Sequence, residues 1–506
     1  MRRTRELPVK TDDLPADFFE KFEKKMWKRI RGQFAPQQAI RAVRAAIELP
    51  FEEGVKRERE LFLECMANPQ SAALRHAFFA EREAARVPDL PVDAKPRPIA
   101  RVGVVGGGTM GSGIATACLK AGLPVTMIER DAQAAEAGRA RVHGFLEHDF
   151  TKGRIDEAEL NRRKERFSVD TDYRALADAD LVIEAVFENM EVKQEVFRRL
   201  DAVAKKGAIL ATNTSYLNVN EIAAATGRPE DVLGLHFFSP AHIMKLLEIV
   251  RAEKTAPEVL LTALKFAKTI RKVGVVARVC HGFIGNRMLS GYIRQAGFLI
   301  LEGATPQQVD RAIYEFGFPM GPFQMGDLAG LDIGYMLRQQ IRPDEEEAVA
   351  FRVHDRLVEA GAKGQKTGRG FYVYEEGAPK PNPLALEIIE DEAKKAGITR
   401  REITDEEIVE RCVLPLVNEG ARILEEGIAM RAGDIDVVWL YGYGFPRWRG
   451  GPMYYGDTLG LDHVLARIRH YAEAIGPRFW TPAPLIERLA AEGRGFRDLD
   501  REKAKR

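Results

Sequence analysis

The sequence predicts an α/β fold of the doubly wound class, preceded by a helical arm and followed by a duplicated all-α domain. Three observations predict it: a charged stretch without strand alternation up to about residue 86, short apolar runs alternating with amphipathic helices from residue 99, and a long-period repeat after residue 280. Alternating strands and helices are typical of a parallel sheet covered by helices on both faces. The length of 506 residues suggests about three domains.

A glycine-rich loop follows the first predicted strand. The segment RVGVVGGGTMGSGIA (Arg101–Ala115) places Gly106, Gly108 and Gly111 in the pattern G-x-G-x-x-G, between an apolar run and a helix. The first glycine permits a tight turn, the second lets the backbone approach a pyrophosphate, and the third lets the helix pack closely on the sheet. The alternative is a structural glycine turn, but this order of elements favours a Rossmann-type dinucleotide site.

The next predicted strand, VTMIER, ends at Glu129, which lies 129 − 111 = 18 positions after Gly111. This is close to the spacing at which an acid accepts hydrogen bonds from the adenosine ribose. A carboxylate there would repel a 2′-phosphate, so the predicted cofactor is NAD. The predicted cofactor contacts in this region are Gly106, Gly108, Thr109, Met110, Gly111 and Glu129.

Composition and the chain ends narrow the class of protein further. The 76 basic residues against 75 acidic ones leave no excess charge for binding nucleic acid. The four cysteines lack a CxxC pair, which favours reduced thiols over disulfides or a metal site. The sequence has no apolar run of membrane-spanning length, no signal-peptide core in MRRTRELPVKTDD and no peroxisomal tripeptide in EKAKR, so we expect a cytoplasmic protein without membrane insertion.

The first 98 residues are predicted to form a helical arm and a stiff linker. Its clearest helix runs over Phe51–Ala67 and should be interrupted at Asn68 and Pro69. The following helical piece carries Leu74, Ala77, Phe78 and Phe79. This set is too apolar to be merely solvated, so we expect the arm to pack on other elements; a free helical extension is the alternative. The proline-rich VPDLPVDAKPRP then marks a domain boundary.

Polar residues after two predicted strands are candidates for the site, because ligands bind beyond the carboxyl ends of strands in such sheets. Glu184, Glu188 and Lys193 follow one strand near the expected nicotinamide, although acids are equally suited to a solvated helix start. Asn213, Thr214 and Ser215 follow another strand, and their small polar side chains suit either a substrate contact or a helix cap or turn. The predicted strands are Arg101–Val105, Val125–Glu129, Asp180–Glu184, Ala208–Thr212, Val232–Phe237, Lys245–Val250 and Gly274–Val279.

A histidine and a carboxylate lie in consecutive apolar runs. His236 and Glu248 are 248 − 236 = 12 positions apart. If the two runs are neighbouring strands, the pair would form a general base and the acid that orients it. A lone histidine in such a run is more often a core residue, but an unpartnered buried carboxylate is costly, and this favours the catalytic interpretation.

The region after Val279 is predicted to be helical and duplicated. LILEG, GFP and GDLAGLD recur as RILEEG, GFP and GDTLGLD with offsets of 444 − 317 = 127 and 460 − 330 = 130 residues. The first helix carries Asn286 near its start. The predicted domains are 1–98 (arm and linker), 99–280 (NAD-binding), 281–378 (first helical copy) and 379–506 (second copy).

Six segments in this order and spacing resemble the L-3-hydroxyacyl-CoA dehydrogenase family over roughly residues 99–460. They are VGGGTMGSGIA, VIEAVFENMEVKQEVF, TNTSYL, GLHFFSPAHIMKLLEIV, GFIGNR and GQKTGRGFY. The arm, and LPFEEGVKRERELF in particular, resembles the linker of fatty-acid oxidation multifunctional enzymes, in which a hydratase domain precedes the dehydrogenase. The resemblance implies NAD-dependent oxidation of L-3-hydroxyacyl-CoA to 3-ketoacyl-CoA in β-oxidation.

The resemblance also implies roles for individual residues. His236 would be the catalytic base and Glu248 its partner, Ser215 would contact the reacting hydroxyl, and Asn286 would lie near the acyl thioester. Glu184 and Lys193 would lie along the cofactor. Tyr216 and Ser239 depart from the family pattern, which bears on acyl-chain preference and pocket polarity.

The resemblance implies an acyl-CoA thioester as substrate and association with hydratase or thiolase subunits. Because no room remains beside these segments for a hydratase fold or its paired catalytic carboxylates, this chain is expected to lack hydratase activity. Two other functions stay open: a related dehydrogenase acting on free hydroxy acids, and a non-catalytic NAD-binding scaffold subunit.

Overall fold

The computed structural model describes residues 5, 7, 9–375 and 378–504, and its largest sheet has eight strands. The strands are β1 (Val102–Val105), β2 (Val125–Ile128), β3 (Phe167–Asp170), β4 (Leu181–Glu184), β5 (Ile209–Thr212), β6 (Val232–Phe237), β7 (Leu246–Arg251) and β8 (Val273–Arg278). Their order is β3-β2-β1-β4-β5-β6-β7-β8. The strand order runs from β1 to β2 and β3 on one side and to β4 and the later strands on the other. Dinucleotides bind at this switch between β1 and β4 in this fold class. The predicted Rossmann-type doubly wound fold is confirmed.

Two features of this sheet differ from the prediction. Strand β3 was not expected, because only Phe167 of its four residues is buried and an apolar run is therefore missing. Strands β6 and β7 pair antiparallel, whereas all other neighbours in the sheet are parallel. The connection over 238–245 is too short for the crossover that a parallel pair requires.

Helices cover both faces of the sheet, and the strands are apolar on both sides. Val104 and Val105, adjacent in β1, are both buried but belong to different hydrophobic clusters, since successive side chains of a strand point to opposite faces. This explains the continuous apolar runs of the sequence. The helices are α5 (Thr109–Lys120), α6 (Ala132–Thr151), α7 (Glu157–Glu165), α8 (Met190–Val203), α9 (Val219–Ala223) and α10 (Pro257–Thr269).

The N-terminal arm consists of α1 (Phe18–Ile30), α2 (Ala35–Glu48), α3 (Phe51–Ala67) and α4 (Pro69–Ala84). The predicted helix Phe51–Ala67 is confirmed with those bounds. Helix α4 packs through small residues rather than through its phenylalanines: its alanines at positions 73, 77, 80 and 84 are buried, whereas Phe78 and Phe79 are about half exposed. Spacings of three and four residues place these alanines on one helix face.

The C-terminal region is helical and duplicated, as predicted. The first copy contains α11 (Gly285–Glu302), α12 (Pro306–Phe316), α13 (Pro322–Ala329), α14 (Leu331–Ile341), α15 (Glu345–Val349) and α16 (Arg352–Glu359), followed by α17 (Pro383–Lys395). The second contains α18 (Asp405–Glu425), α19 (Ala432–Gly442), α20 (Pro452–Leu459), α21 (Leu461–Ile475), α22 (Pro484–Ala491) and α23 (Phe496–Ala504). A short antiparallel pair, β9 (Tyr372–Val373) and β10 (Lys380–Pro381), was not predicted because two-residue strands carry no alternation.

Equivalent aspartates show the duplication at atomic level. The Asp327 carboxylate accepts hydrogen bonds from the backbone N–H groups of residues 371–372, and the Asp457 carboxylate accepts them from those of residues 496–497. The two aspartates are 457 − 327 = 130 positions apart, the offset of the sequence repeat. Each copy thus uses one carboxylate to hold the backbone that follows its core helices.

The chain divides into two compact units. Described residues of the arm unit fall within Met1–Phe78, Ile293–Cys412 and Phe445–Gly450, and those of the nucleotide unit fall within Phe79–Tyr292, Val413–Gly444 and Gly451–Arg506. The second helical copy therefore shares a unit with the sheet, and the first copy shares one with most of the arm. The domain limits at 98, 280 and 378 stay predictions.

The arm unit contains a buried histidine that should make stability depend on pH. His354 packs against Phe323, Phe351 and Phe371, and burial, with a smaller contribution from Arg338, lowers its pKa from 6.5 to about 3. The unfolded chain binds a proton here below its ordinary pKa while the folded chain does not, so the free energy of unfolding decreases as pH falls from about 6.5 towards 3, by about 3 kcal/mol at pH 4.

Denaturant titrations at several pH values measure this dependence. His354→Phe should flatten the acid side of the stability profile, because phenylalanine fills the aromatic cluster without titrating. His463→Phe, at an exposed histidine of the second copy, should keep the wild-type slope. Equal slopes for all three proteins would contradict the assignment.

Candidate active site

The glycine-rich loop joins β1 to α5 with the geometry that a pyrophosphate requires. Gly106 has a φ of +97°, and a Cβ on Gly111 would lie 1.7 Å from the Gly106 carbonyl oxygen, so the turn and the helix contact both need glycine. A Cβ on Gly108 would meet nothing within 4 Å. Open space therefore lies beside the loop at the N-terminus of α5, whose first residues are Thr109 and Met110 and whose free N–H groups favour phosphate. These residues fit a dinucleotide.

The carboxylate of Glu129 lies at the end of β2, beside this loop. Its Oε1 accepts a hydrogen bond from the Gly107 N–H at 2.6 Å. The loop is also held from the other side, where the Arg141 guanidinium donates to the Gly107 carbonyl at 2.6 Å. Glu129 thus fixes the loop and stands at the position of a ribose-binding acid.

We expect Glu129→Ala to raise the dissociation constant for NADH by at least tenfold. The substitution removes an anionic acceptor for the ribose hydroxyls and a support of the Gly107 amide, and hydrogen bonds to charged groups contribute about 1.5–3 kcal/mol each. Fluorescence titration measures the affinity. Glu136→Ala, at an exposed glutamate of α6, is the matched control and should bind NADH as the wild type does. Equal affinities of the Glu129 and Glu136 variants would contradict the prediction.

Glu184 and Lys193 form a buried ion pair at the carboxyl end of β4. Their side chains are 0% and 1% exposed, and the Lys193 ammonium lies 2.7 Å from Glu184 Oε1. Glu184 also accepts hydrogen bonds from the Thr212 hydroxyl and the Val186 N–H, both at 2.7 Å. The pair thus joins the ends of β4 and β5 to the start of α8.

Glu188 extends this network to Ser215. The Lys193 ammonium lies 3.3 Å from Glu188 Oε2, and Glu188 Oε1 accepts hydrogen bonds from the Thr214 hydroxyl at 2.5 Å and from the Ser215 N–H at 2.9 Å. The turn that carries Ser215 is therefore held by a carboxylate that is itself held by a buried lysine. Burial raises the pKa of the neighbouring Tyr216 to about 12, with a smaller effect from the charge of Glu188.

His236 and Glu248 face each other across strands β6 and β7. They are register partners of the antiparallel pair, and His236 Nδ1 lies 2.7 Å from Glu248 Oε2. The histidine is 4% exposed and the glutamate is fully buried. The two apolar runs are thus neighbouring strands, as the catalytic interpretation required, and the carboxylate is partnered. This contact engages Nδ1, and Nε2 is the other ring nitrogen.

The second oxygen of Glu248 holds the start of α11. Glu248 Oε1 accepts hydrogen bonds from the N–H groups of Ile284 at 3.2 Å and Gly285 at 3.0 Å. The preceding residues, Gly282 and Phe283, have φ values of +73° and +49°. Left-handed backbone at a residue other than glycine is sparsely populated, and here it turns the chain so that the helix start meets the carboxylate.

The structure brings the remaining candidates to the same edge of the sheet. Asn286 follows Gly285 directly, so Glu248 positions the backbone that carries it. Ser215 follows the adjacent strand β5, which is tied to β6 by a hydrogen bond of 2.8 Å from the Phe237 N–H to the Asn213 side chain. Ser215, His236, Glu248 and Asn286 all belong to the nucleotide unit.

One supporting residue was absent from the predicted site. Glu188, just after β4, was among the residues expected near the nicotinamide, whereas Tyr443 was not. Tyr443, whose hydroxyl donates to Asn286 Oδ1 at 2.8 Å, lies 157 positions further along the chain, and no sequence pattern links the two.

The sheet, the open glycine loop and the buried histidine–carboxylate pair at the end of β6 define a class: the NAD-dependent oxidoreductases. The chain belongs to the 3-hydroxyacyl-CoA dehydrogenase family. The family's NAD binding domain matches residues 101–280, and its C-terminal domain matches residues 282–374 and 408–502, one match for each helical copy. NAD is the cofactor, and fatty-acid oxidation is the metabolism in which the family acts.

Relatives with names and solved structures support this membership. The chain is 44% identical over 497 residues to a peroxisomal bifunctional enzyme of Danio rerio, covering 94% of this chain and 68% of the relative. A crystal structure of 3-hydroxybutyryl-CoA dehydrogenase from Escherichia coli superposes with a TM-score of 0.68 at 27% identity, covering 78% of this chain and 99% of that one. The dehydrogenase part of multifunctional enzyme 1 from Caenorhabditis elegans gives a TM-score of 0.61 at 28% identity, covering 82% and 96%.

The expected cytoplasmic location is wrong. The animal relatives, and the Arabidopsis thaliana relative at 37% identity, are named peroxisomal enzymes. The expectation rested on signals missing from the chain ends, and such absences are weak evidence for a compartment. The tripeptide considered there includes residues 505–506, which lie outside the described residues. Within the described part of the chain, the helices are all too short or too polar to cross a membrane.

Proposed function

We propose that this chain oxidises the C3 hydroxyl of L-3-hydroxyacyl-CoA thioesters to the ketone, with His236 as base and Glu248 as its partner. The observation that carries the proposal is the 2.7 Å contact between His236 Nδ1 and Glu248 Oε2 at the carboxyl end of β6. A buried histidine that is oriented by a carboxylate at the carboxyl end of a strand in a dinucleotide-binding sheet is suited to remove a proton during hydride transfer.

The chemistry divides between the cofactor and the side chains. NAD supplies the hydride acceptor when it is bound. His236 Nε2 takes the proton of the C3 hydroxyl, while Glu248 holds the ring in the required tautomer and stabilises the imidazolium that forms. The Ser215 hydroxyl contacts the reacting oxygen, and the Asn286 amide lies near the thioester carbonyl.

The other predicted site residues bind and support the cofactor. Gly106, Gly108, Thr109, Met110 and Gly111 hold the pyrophosphate, and Glu129 accepts hydrogen bonds from the adenosine ribose. Glu184 and Lys193 lie along the cofactor, and their buried ion pair supports the strand ends beside its nicotinamide half.

We expect the 506-residue chain to lack enoyl-CoA hydratase activity. The described residues before the NAD binding match form the helical arm and linker, which present no hydratase fold. The activity is measured as hydration of crotonyl-CoA, which is monitored through the loss of enoyl absorbance. NADH-dependent turnover of acetoacetyl-CoA in the same preparation is the control. Steady hydration by the pure chain would contradict the prediction. Hydratase or thiolase subunits are the partners that the family resemblance implies.

A spectrophotometric NADH assay with two substrates tests the function. The purified chain should oxidise NADH with acetoacetyl-CoA and not with free acetoacetate. Turnover of the free acid at a similar rate would favour a dehydrogenase for free hydroxy acids. NADH binding without turnover of either substrate would favour the non-catalytic scaffold. A scaffold, however, would have no chemical reason to keep the His236–Glu248 pair.

A further inference from the structure

Tyr443 lies just after α19 in the second helical copy, and its hydroxyl donates a hydrogen bond to the side-chain oxygen of Asn286 at 2.8 Å. Both residues belong to the nucleotide unit. The helical copy that is remote in sequence thus contacts a residue of the candidate active site directly.

The Tyr443 ring is held on two sides. The ring stacks on Trp439 with a centroid distance of 4.6 Å and an interplanar angle of 25°. On another side it lies edge-to-face with Phe238, with a centroid distance of 5.5 Å. Trp439 is itself buried, and its indole N–H lies 3.1 Å from the Met288 sulfur on α11. A side chain held by ring contacts of this kind occupies one rotamer, so its hydroxyl stays at a fixed position.

Gly285 makes the approach of Tyr443 possible. A Cβ on Gly285 would lie 2.5 Å from the Tyr443 hydroxyl oxygen and 2.6 Å from its ring. Any side chain at position 285 would push the phenol away from Asn286. The first residue of α11 therefore serves two neighbours, because its N–H holds Glu248 and its missing side chain admits Tyr443.

We propose that Tyr443 is a positioning residue that fixes the amide orientation of Asn286, so that the Asn286 NH2 group faces the thioester carbonyl of the acyl-CoA. This inference rests on the proposed function. An asparagine amide has an oxygen that accepts and an NH2 group that donates hydrogen bonds. A hydroxyl that donates to the oxygen therefore leaves the NH2 group on the opposite side.

The phenol is suited to act as the donor. Burial, together with the nearby charge of Glu248, raises the pKa of Tyr443 well above its ordinary value, so the hydroxyl keeps its proton. The second helical copy thus completes the substrate contact instead of only filling space beside the sheet.

Tyr443→Phe tests the proposal, because it removes the hydroxyl and keeps the ring stack. We expect kcat/KM for acetoacetyl-CoA to fall about tenfold, the effect of one buried hydrogen bond, with most of the loss in KM and with an unchanged dissociation constant for NADH. Tyr441→Phe is the matched control: the Tyr441 hydroxyl contacts Glu81 in the arm instead, and this variant should keep wild-type kinetics.

The same substitution in an Asn286→Ala background separates positioning from a general structural effect. Without the amide, loss of the Tyr443 hydroxyl should cause no further fall in kcat/KM. An equal fall in both backgrounds, or no fall in the wild-type background, would overturn the inference. Failure of the proposed function is a different result, namely a wild-type chain that binds NADH and does not turn over acetoacetyl-CoA.

Discussion

His236→Gln is expected to abolish turnover of acetoacetyl-CoA, with a fall in kcat of at least 10³-fold, while NADH binds with nearly unchanged affinity. Glutamine cannot exchange a proton near neutral pH, and a positioned general acid or base contributes about 10²–10⁴-fold to a rate. His236 lies at the end of β6, whereas the dinucleotide loop follows β1, so the substitution leaves the cofactor contacts intact.

Stopped-flow measurement of NADH oxidation and fluorescence titration of NADH separate the two effects. His148→Gln, at an exposed histidine of α6, is the matched control and should behave as the wild type in both. Normal turnover by the His236→Gln variant would show that His236 is not the general base. Loss of NADH binding would mean that His236 supports the cofactor site rather than the chemistry.

Glu248→Gln is expected to lower kcat by about 10³-fold, because an amide no longer orients the histidine as a base and a positioned base contributes about 10²–10⁴-fold. Glutamine has one side-chain oxygen, whereas Glu248 uses two: one for His236 and one for the N–H groups of Ile284 and Gly285. One of these partners must lose its acceptor, and an unsatisfied buried donor costs about 1–3 kcal/mol.

Denaturant unfolding and kinetics together test this prediction. We expect the variant to be destabilised and slow, in contrast to Glu253→Gln, whose exposed side chain lies just beyond β7. A variant that is destabilised but catalyses at the wild-type rate would show that Glu248 holds α11 and does not act on His236.

The sequence predicted those features that depend on local patterns. Buried parallel strands need apolar residues on both faces, so their runs were visible, and the glycine loop is recognised by three glycines at fixed spacing, of which Gly106 and Gly111 have no room for a side chain. The pairing of His236 with Glu248 was also accessible, because two apolar runs joined by a short connection must lie side by side.

Other features depend on contacts that no local pattern encodes. Strand β3 pairs only with β2 at the edge of the sheet, so it needs few apolar residues. Tyr443 reaches Asn286 only because the second helical copy packs beside the sheet, and α4 packs through alanines that allow close approach although its phenylalanines are the more apolar residues. Each of these is determined by tertiary packing.

The central claim is that His236 and Glu248 act as one catalytic unit, and a double-mutant cycle on kcat with acetoacetyl-CoA and NADH tests it most directly. If Glu248 acts through His236, its substitution can cost little once the base is gone, so the Glu248→Gln/His236→Gln double variant should be about as slow as His236→Gln alone. Losses that multiply, giving a double variant slower than His236→Gln by a further factor of about 10³, would contradict it.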